Sequence, residues 1–210
     1  MPPDSPAMVA EVLAPTAAVE GVLPALRMAT RTQHDRIEEL LALAAPMPPA
    51  RYVAILQGFQ RFLTGWESEL RDAMPTRLQG WLAARSRLGF VAQDLAFFGA
   101  DESAPPAHAV PRCLPDDGVA VAFGSLYVIE GSALGGQVIT PRLERDLGLV
   151  PGRGASYFHG FGDRTGGMWR EFRLLAEQEI GTDPARRREA CRSAEQTFQA
   201  LIATFEPLLS

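Results

Sequence analysis

Apolar residues recur at three- and four-residue spacing through most of the chain, and no segment alternates convincingly in the two-residue period of a strand. Leu23, Leu26, Thr30, Ile37, Leu40 and Leu41 fall near one face of a helix predicted over 19–43, which Pro46, Pro48 and Pro49 end. Val53, Leu56, Phe59, Leu63, Trp66 and Leu70 mark a second helix over 49–73, stopped by Pro75. Shorter helices are predicted over 76–85 and 91–98, followed by a proline-rich loop over 99–115. A long helix is expected over 117–147. Residues 148–163 hold five glycines and no helical period, and read as a loop. A helix over 165–180 follows. The last begins at Asp183, a suitable N-cap with Pro184 behind it, and runs to 208. The pattern predicts an all-α, single-domain helical bundle over 18–210, with a flexible tail over the Pro- and Ala-rich residues 1–17.

Apolar residues make up 47% of the 210, enough to bury a sizeable core. A formal charge of −5 argues against a nucleic-acid partner, which wants a basic surface. All 20 basic residues are Arg, so any anion is met by a forked, permanently charged donor. Cys113 and Cys191 lie far apart in no metal-type spacing, which points to a reducing compartment. The first basic residue is Arg27, so the N-terminus does not read as a secretory signal. The longest apolar stretch, 119–129, contains Gly124 and Ser125 and is short for a bilayer. A cytoplasmic protein with no membrane partner is expected.

Candidate chemistry is sparse. Of the three histidines, His108 falls in the proline-rich loop and His159 in the glycine-rich one. His34 alone lies inside a strongly periodic helix, near Arg27, Thr30, Ile37, Glu38 and Leu41. A neutral imidazole there can ligate a metal, or it can be an ordinary hydrogen-bonded histidine. The second feature is Gly131, Gly135 and Gly136 inside the helical pattern LYVIEGSALGGQVI. Each interior glycine costs about 1 kcal/mol relative to Ala, so something must offset three of them. Close approach of the backbone to a flat ligand, with a kink in the helix, is one answer. Tight helix packing is the other.

Together the two features resemble haem oxygenases. LRMATRTQHDRIEELL, residues 26–41, looks like that family's first helix, and GSALGGQ, residues 131–137, is similar to its distal helix. FGDRTGGMWREF, residues 161–172, resembles members found beside bacteriophytochromes. The resemblance implies haem b as both cofactor and substrate, held between the first helix and a kinked distal helix. His34 becomes the axial iron ligand, and Gly131 and Gly135 the distal glycines. Arg27 falls where the family places a propionate partner, and its fork suits a carboxylate. Arg170 and Arg173 are the implied second propionate anchors, with Tyr127 a further candidate. Many members carry an aspartate after the first distal glycine; here it is Ser132, which can hold a water but supplies no carboxylate charge.

The implied reaction uses O2 and opens the ring to biliverdin, the α isomer by resemblance, releasing CO and iron. No GxGxxG fingerprint is present, so electrons are expected from a ferredoxin or reductase. A bacteriophytochrome is an implied recipient of biliverdin. Two rivals stand beside this reading. A non-catalytic haem carrier would keep the same ligand and glycines. Di-iron chemistry needs Glu-x-x-His motifs, but Arg31, Pro105 and Ser156 occupy the positions three before each histidine.

Overall fold

The structure is a computed structural model and describes residues 21–100, 114 and 118–209. The predicted tail over 1–17 and most of the 99–115 loop, with His108 and Cys113, lie outside the described residues. Among the described residues the helices are α1 (Val22–Leu41), α2 (Pro49–Ala73), α3 (Gln79–Ala83), α4 (Leu88–Phe97), α5 (Val119–Leu147), α6 (Ser156–His159), α7 (Thr165–Ile180) and α8 (Pro184–Leu209). No strand occurs among them.

Amphipathic pattern becomes packing in a simple way. α1 buries Val22, Leu26, Thr30, Ile37 and Leu41, one stripe of the predicted face, and leans on α8. α8 also packs on α2 and α5. α5 is the interior helix: Ala120–Leu126 and Val128–Glu130 are buried, and exposure begins at Gly131. By length and composition α5 could cross a membrane, longer than the apolar stretch read from sequence, but 61% of its most apolar window is buried inside the fold.

The axis of the bundle is stitched by polar groups that satisfy one another. Trp66 Nε1 donates to Ser125 Oγ at 2.7 Å, and Ser125 Oγ lies 2.6 Å from Thr197 Oγ1. Ser193 Oγ donates to the Val121 carbonyl at 2.8 Å. These fully buried hydroxyls tie α2, α5 and α8 into one register. A Cβ on Gly124 would come within 2.1 Å of the Ala190 carbonyl oxygen, so glycine sets the closeness of α5 and α8.

Two expectations change. The 76–85 segment is a 3-10 turn, Thr76–Leu78, followed by α3, and α4 starts earlier than periodicity indicated. The 148–163 loop contains α6 and a 3-10 turn, Gly162–Arg164. A four-residue helix is not stable locally. Here a distant carboxylate supplies the cap: Asp94 of α4 accepts the amides of Ser156 at 2.8 Å and Tyr157 at 2.7 Å. The Asp183 cap appears as expected, with its carboxylate accepting the Ala185 amide at 2.8 Å.

Candidate functional site

α1 and the exposed half of α5 wall a cavity of about 620 Å³, with α6, α7 and α8 closing its sides. That volume lies in the range of cofactor sites. His34, Tyr127, Gly131, Ser132 and Gly135 all line it. A smaller cavity of about 300 Å³ holds Trp66, Arg85 and Glu130 and contains no histidine.

His34 projects from α1 one turn before Ile37 and Glu38. Its side chain is 53% exposed, and its ring meets Phe198 edge-on at 6.0 Å between centroids. Nδ1 lies 3.7 Å from the Glu38 carboxylate and 3.9 Å from that of Asp35, beyond hydrogen-bond length. Among the described residues the imidazole is thus not committed to a hydrogen bond. His159 is exposed and lies off the cavity.

The three glycines divide into two roles. A Cβ built on Gly131 or Gly135 meets nothing within 4 Å, so both leave open space in the cavity wall. A Cβ on Gly136 would stand 2.1 Å from the Phe158 carbonyl oxygen. Gly136 therefore lets the α6 backbone rest directly on α5, while the other two expose α5 backbone to the cavity. Helical hydrogen bonding continues through all three positions.

Ser132 Oγ donates to the Ile129 carbonyl at 2.8 Å, so its proton is used within the helix. Arg87 Nη1 approaches the same oxygen at 3.5 Å. Arg87 enters from the turn before α4 and is 4% exposed. Its backbone amide donates to Glu67 Oε1 at 3.1 Å, which fixes where the side chain starts. Tyr157, from α6, is 3% exposed, and its ring packs on Phe59 at 4.6 Å. Burial pushes its phenol well above the ordinary range, against the pull of the neighbouring Arg87 cation. Pattern reasoning missed both residues. Arg87 is one arginine among many and Tyr157 lay in a presumed loop, so no local signal marked either.

Tyr127 is half-buried on α5, 6.2 Å from the Trp169 ring. Burial raises its phenol, while Thr30 and the Arg27 cation pull it back, so Arg27 stands near this edge of the cavity. Arg27, Arg170 and Arg173 are themselves exposed and do not form the wall. Arg142 does, and its Nη1 donates to the Ala44 carbonyl at 2.9 Å, tying α5 to the turn after α1.

Behind the wall, Glu130 and Arg85 form a buried pair at 2.7 Å, with side chains 4% and 2% exposed. Arg85 also reaches Glu171 at 2.7 Å and the Met168 carbonyl at 3.1 Å, and lies over the Trp81 ring at 4.0 Å. Burial pushes the Glu130 carboxyl up, while Arg85 and Arg87 pull it down. This pair anchors α5 to α7 and to the turn before α4, one residue from Gly131.

A histidine-bearing helix and a glycine-bearing helix facing one apolar cavity, in an all-α bundle, is the arrangement that the comparisons with known proteins match. The Heme oxygenase family model matches residues 21–207. A heme oxygenase of Xanthomonas campestris pv. campestris (strain 8004) is 32% identical over 160 residues, covering 76% of this chain and 88% of that protein. The fold also resembles the crystal structure of NO- and CO-bound heme oxygenase from Neisseria meningitidis, with a TM-score of 0.69 at 24% identity. That likeness covers 89% of this chain and 92% of the other. The chain belongs to the heme oxygenase family. The residues present fit the flat group this implies, because Gly131 and Gly135 leave the cavity wall open where any side chain would fill it.

Proposed function

We propose that this protein binds haem in the α1–α5 cavity through His34 and opens the macrocycle to biliverdin, releasing CO and iron. The observation that carries the reading is the pairing of His34 with the open walls of Gly131 and Gly135 in one cavity. When bound, haem supplies the redox iron that reacts with O2 and the meso carbon at which the ring opens.

The protein's own work is binding and orientation. His34 would offer an imidazole nitrogen to iron. Gly131 and Gly135 admit the ring face to the α5 backbone, and apolar walls such as Ile37, Phe198 and Leu201 exclude water. Arg27, Arg170 and Arg173, with Tyr127, hold the propionates at the edge and so set the rotation of the ring. That rotation decides which meso carbon is attacked, and the family resemblance supports the α isomer. Electrons come from a ferredoxin or reductase, in the cytoplasm. The likeness of 161–172 to bacteriophytochrome-associated members supports delivery of biliverdin to such a receptor.

Absorption spectroscopy tests this. Apoprotein with one equivalent of haemin should develop a Soret band that is absent in His34→Ala. In air with ascorbate or a ferredoxin system, the band should give way to broad red absorption of biliverdin. A stable Soret band under reduction would instead assign the protein as a haem carrier.

A further inference from the structure

Of the residues lining the smaller cavity, Ile129 alone also lines the larger one, so α5 separates two spaces. The smaller space, about 300 Å³, lies between α2, α3, the turn before α4 and α5. Its inner surface is apolar: Trp66, Leu70 and Leu126 are buried there, and Leu82 and Leu88 form half-buried sides. Arg71, Ala83 and Ser86 are exposed residues of its lining. One polar group inside is only partly used. Glu130 is 3% exposed, and its Oε2 accepts from Arg85 Nη1 at 2.7 Å. No described residue donates to its Oε1. A carboxylate oxygen has room for more than one donor, and a buried one is rarely left with none.

From this we propose that the smaller cavity is a second ligand site, separate from the α1–α5 cavity, for an uncharged single-ring molecule with one hydrogen-bond donor, of the phenol class. A space of about 300 Å³ stands at the small end of ligand pockets and fits one ring. The apolar walls favour burial of that ring. Trp66 spends its indole N–H on Ser125 Oγ at 2.7 Å, so it offers the ligand ring surface only. Glu130 Oε1 supplies the acceptor, which calls for a donor on the ligand. A cationic ligand would meet Arg85 and Arg71, and an anionic one Glu130 and Glu67. A neutral donor avoids both repulsions.

The site is held in place before any ligand arrives. Arg85 fixes Glu130 while itself bonded to Glu171 at 2.7 Å and to the Met168 carbonyl at 3.1 Å. A ligand therefore meets a formed acceptor and loses little affinity to ordering it. The proposal does not depend on haem, because His34, Gly131 and Gly135 do not line this space.

Calorimetric titration of phenol into the protein, with and without one equivalent of haemin, tests the site. Toluene serves as a ring of matching size that lacks the donor. Phenol is expected to bind with a Kd on the order of 1 mM, and toluene about tenfold more weakly. Leu82→Trp fills the space and Ala83→Phe brings a ring to its lining, so each should weaken phenol about tenfold. Glu130→Gln should narrow the advantage of phenol over toluene, since a neutral acceptor bonds more weakly than a carboxylate. Should that variant not fold, the ratio of phenol to toluene affinity in the parent carries the same information. Phenol affinity should be the same with and without haemin. Absence of phenol binding, undiminished binding in both Leu82→Trp and Ala83→Phe, or toluene matching phenol overturns the proposal. Phenol that haemin expels, or that shifts the Soret band as it binds, lies in the larger cavity and overturns it too. A parent that takes up no haemin would sink the haem reading alone, and the haem-free titrations of parent and variants would still decide this one.

Discussion

The carboxylate of Asp94 accepts the backbone amide of Tyr157 at 2.7 Å, across more than sixty residues of sequence. With its second bond to Ser156, it creates the N-terminus of α6 and places Tyr157 and Phe158 in the cavity wall. Asp94→Asn keeps one acceptor but sets an amide donor against a backbone N–H. The expected loss is about 2 kcal/mol, in the range for leaving a buried backbone amide without its acceptor, read from urea unfolding, with weaker haemin binding. The pH dependence has a definite sign. Burial pushes the Asp94 carboxyl up, against the backbone bonds that lower it. The native state therefore keeps this proton to higher pH than the unfolded chain. The stability difference between parent and Asp94→Asn should be largest below about pH 4, the unfolded carboxyl range. It should then decline as pH rises through the native value. A difference that grows with rising pH would contradict this.

The glycines of α5 should respond to alanine in opposite directions. At Gly131 and Gly135 an added Cβ meets only open cavity. Each Ala should stabilise the apoprotein by up to about 1 kcal/mol through helix propensity while weakening haemin binding. At Gly136 the Cβ would meet the Phe158 carbonyl, which is backbone and cannot swing aside. Gly136→Ala should lower stability by about 1–3 kcal/mol. Thermal melts and haemin titrations on the three variants separate a ligand wall from a packing contact.

His34 is half exposed and, among the described residues, makes no hydrogen bond of ordinary length. His34→Ala should change apoprotein stability by no more than about 0.5 kcal/mol while abolishing the Soret band. A large drop in melting temperature without haem would instead show that the imidazole serves the fold.

Breaking the Arg85–Glu130 pair should be far more damaging. Glu130→Ala leaves a buried guanidinium with Glu171 as its remaining carboxylate, itself 56% exposed. Denaturant unfolding should show a loss of about 3–5 kcal/mol. Replacing both partners by apolar residues of similar size should recover part of it, because no charge is then left unpaired.

Much of this molecule is written locally. The periodic stripes of α2 and α7, and the prolines that bound α2, operate within a turn or two of each residue, and those helices lie where pattern placed them. His34, Gly131 and Gly135 were legible for a related reason: a rare histidine on a periodic face and costly glycines inside a helix are local anomalies. The fold brings them to one cavity. Only tertiary structure decided the rest. α6 exists because Asp94 caps it from another helix, so no signal lay in its own four residues. Gly136 parted from its neighbours because the Phe158 carbonyl happens to cross there. Arg87 and Tyr157 reach the cavity wall only because α6 and the turn before α4 pack side by side, and burial is a property of packed elements that no local spacing encodes.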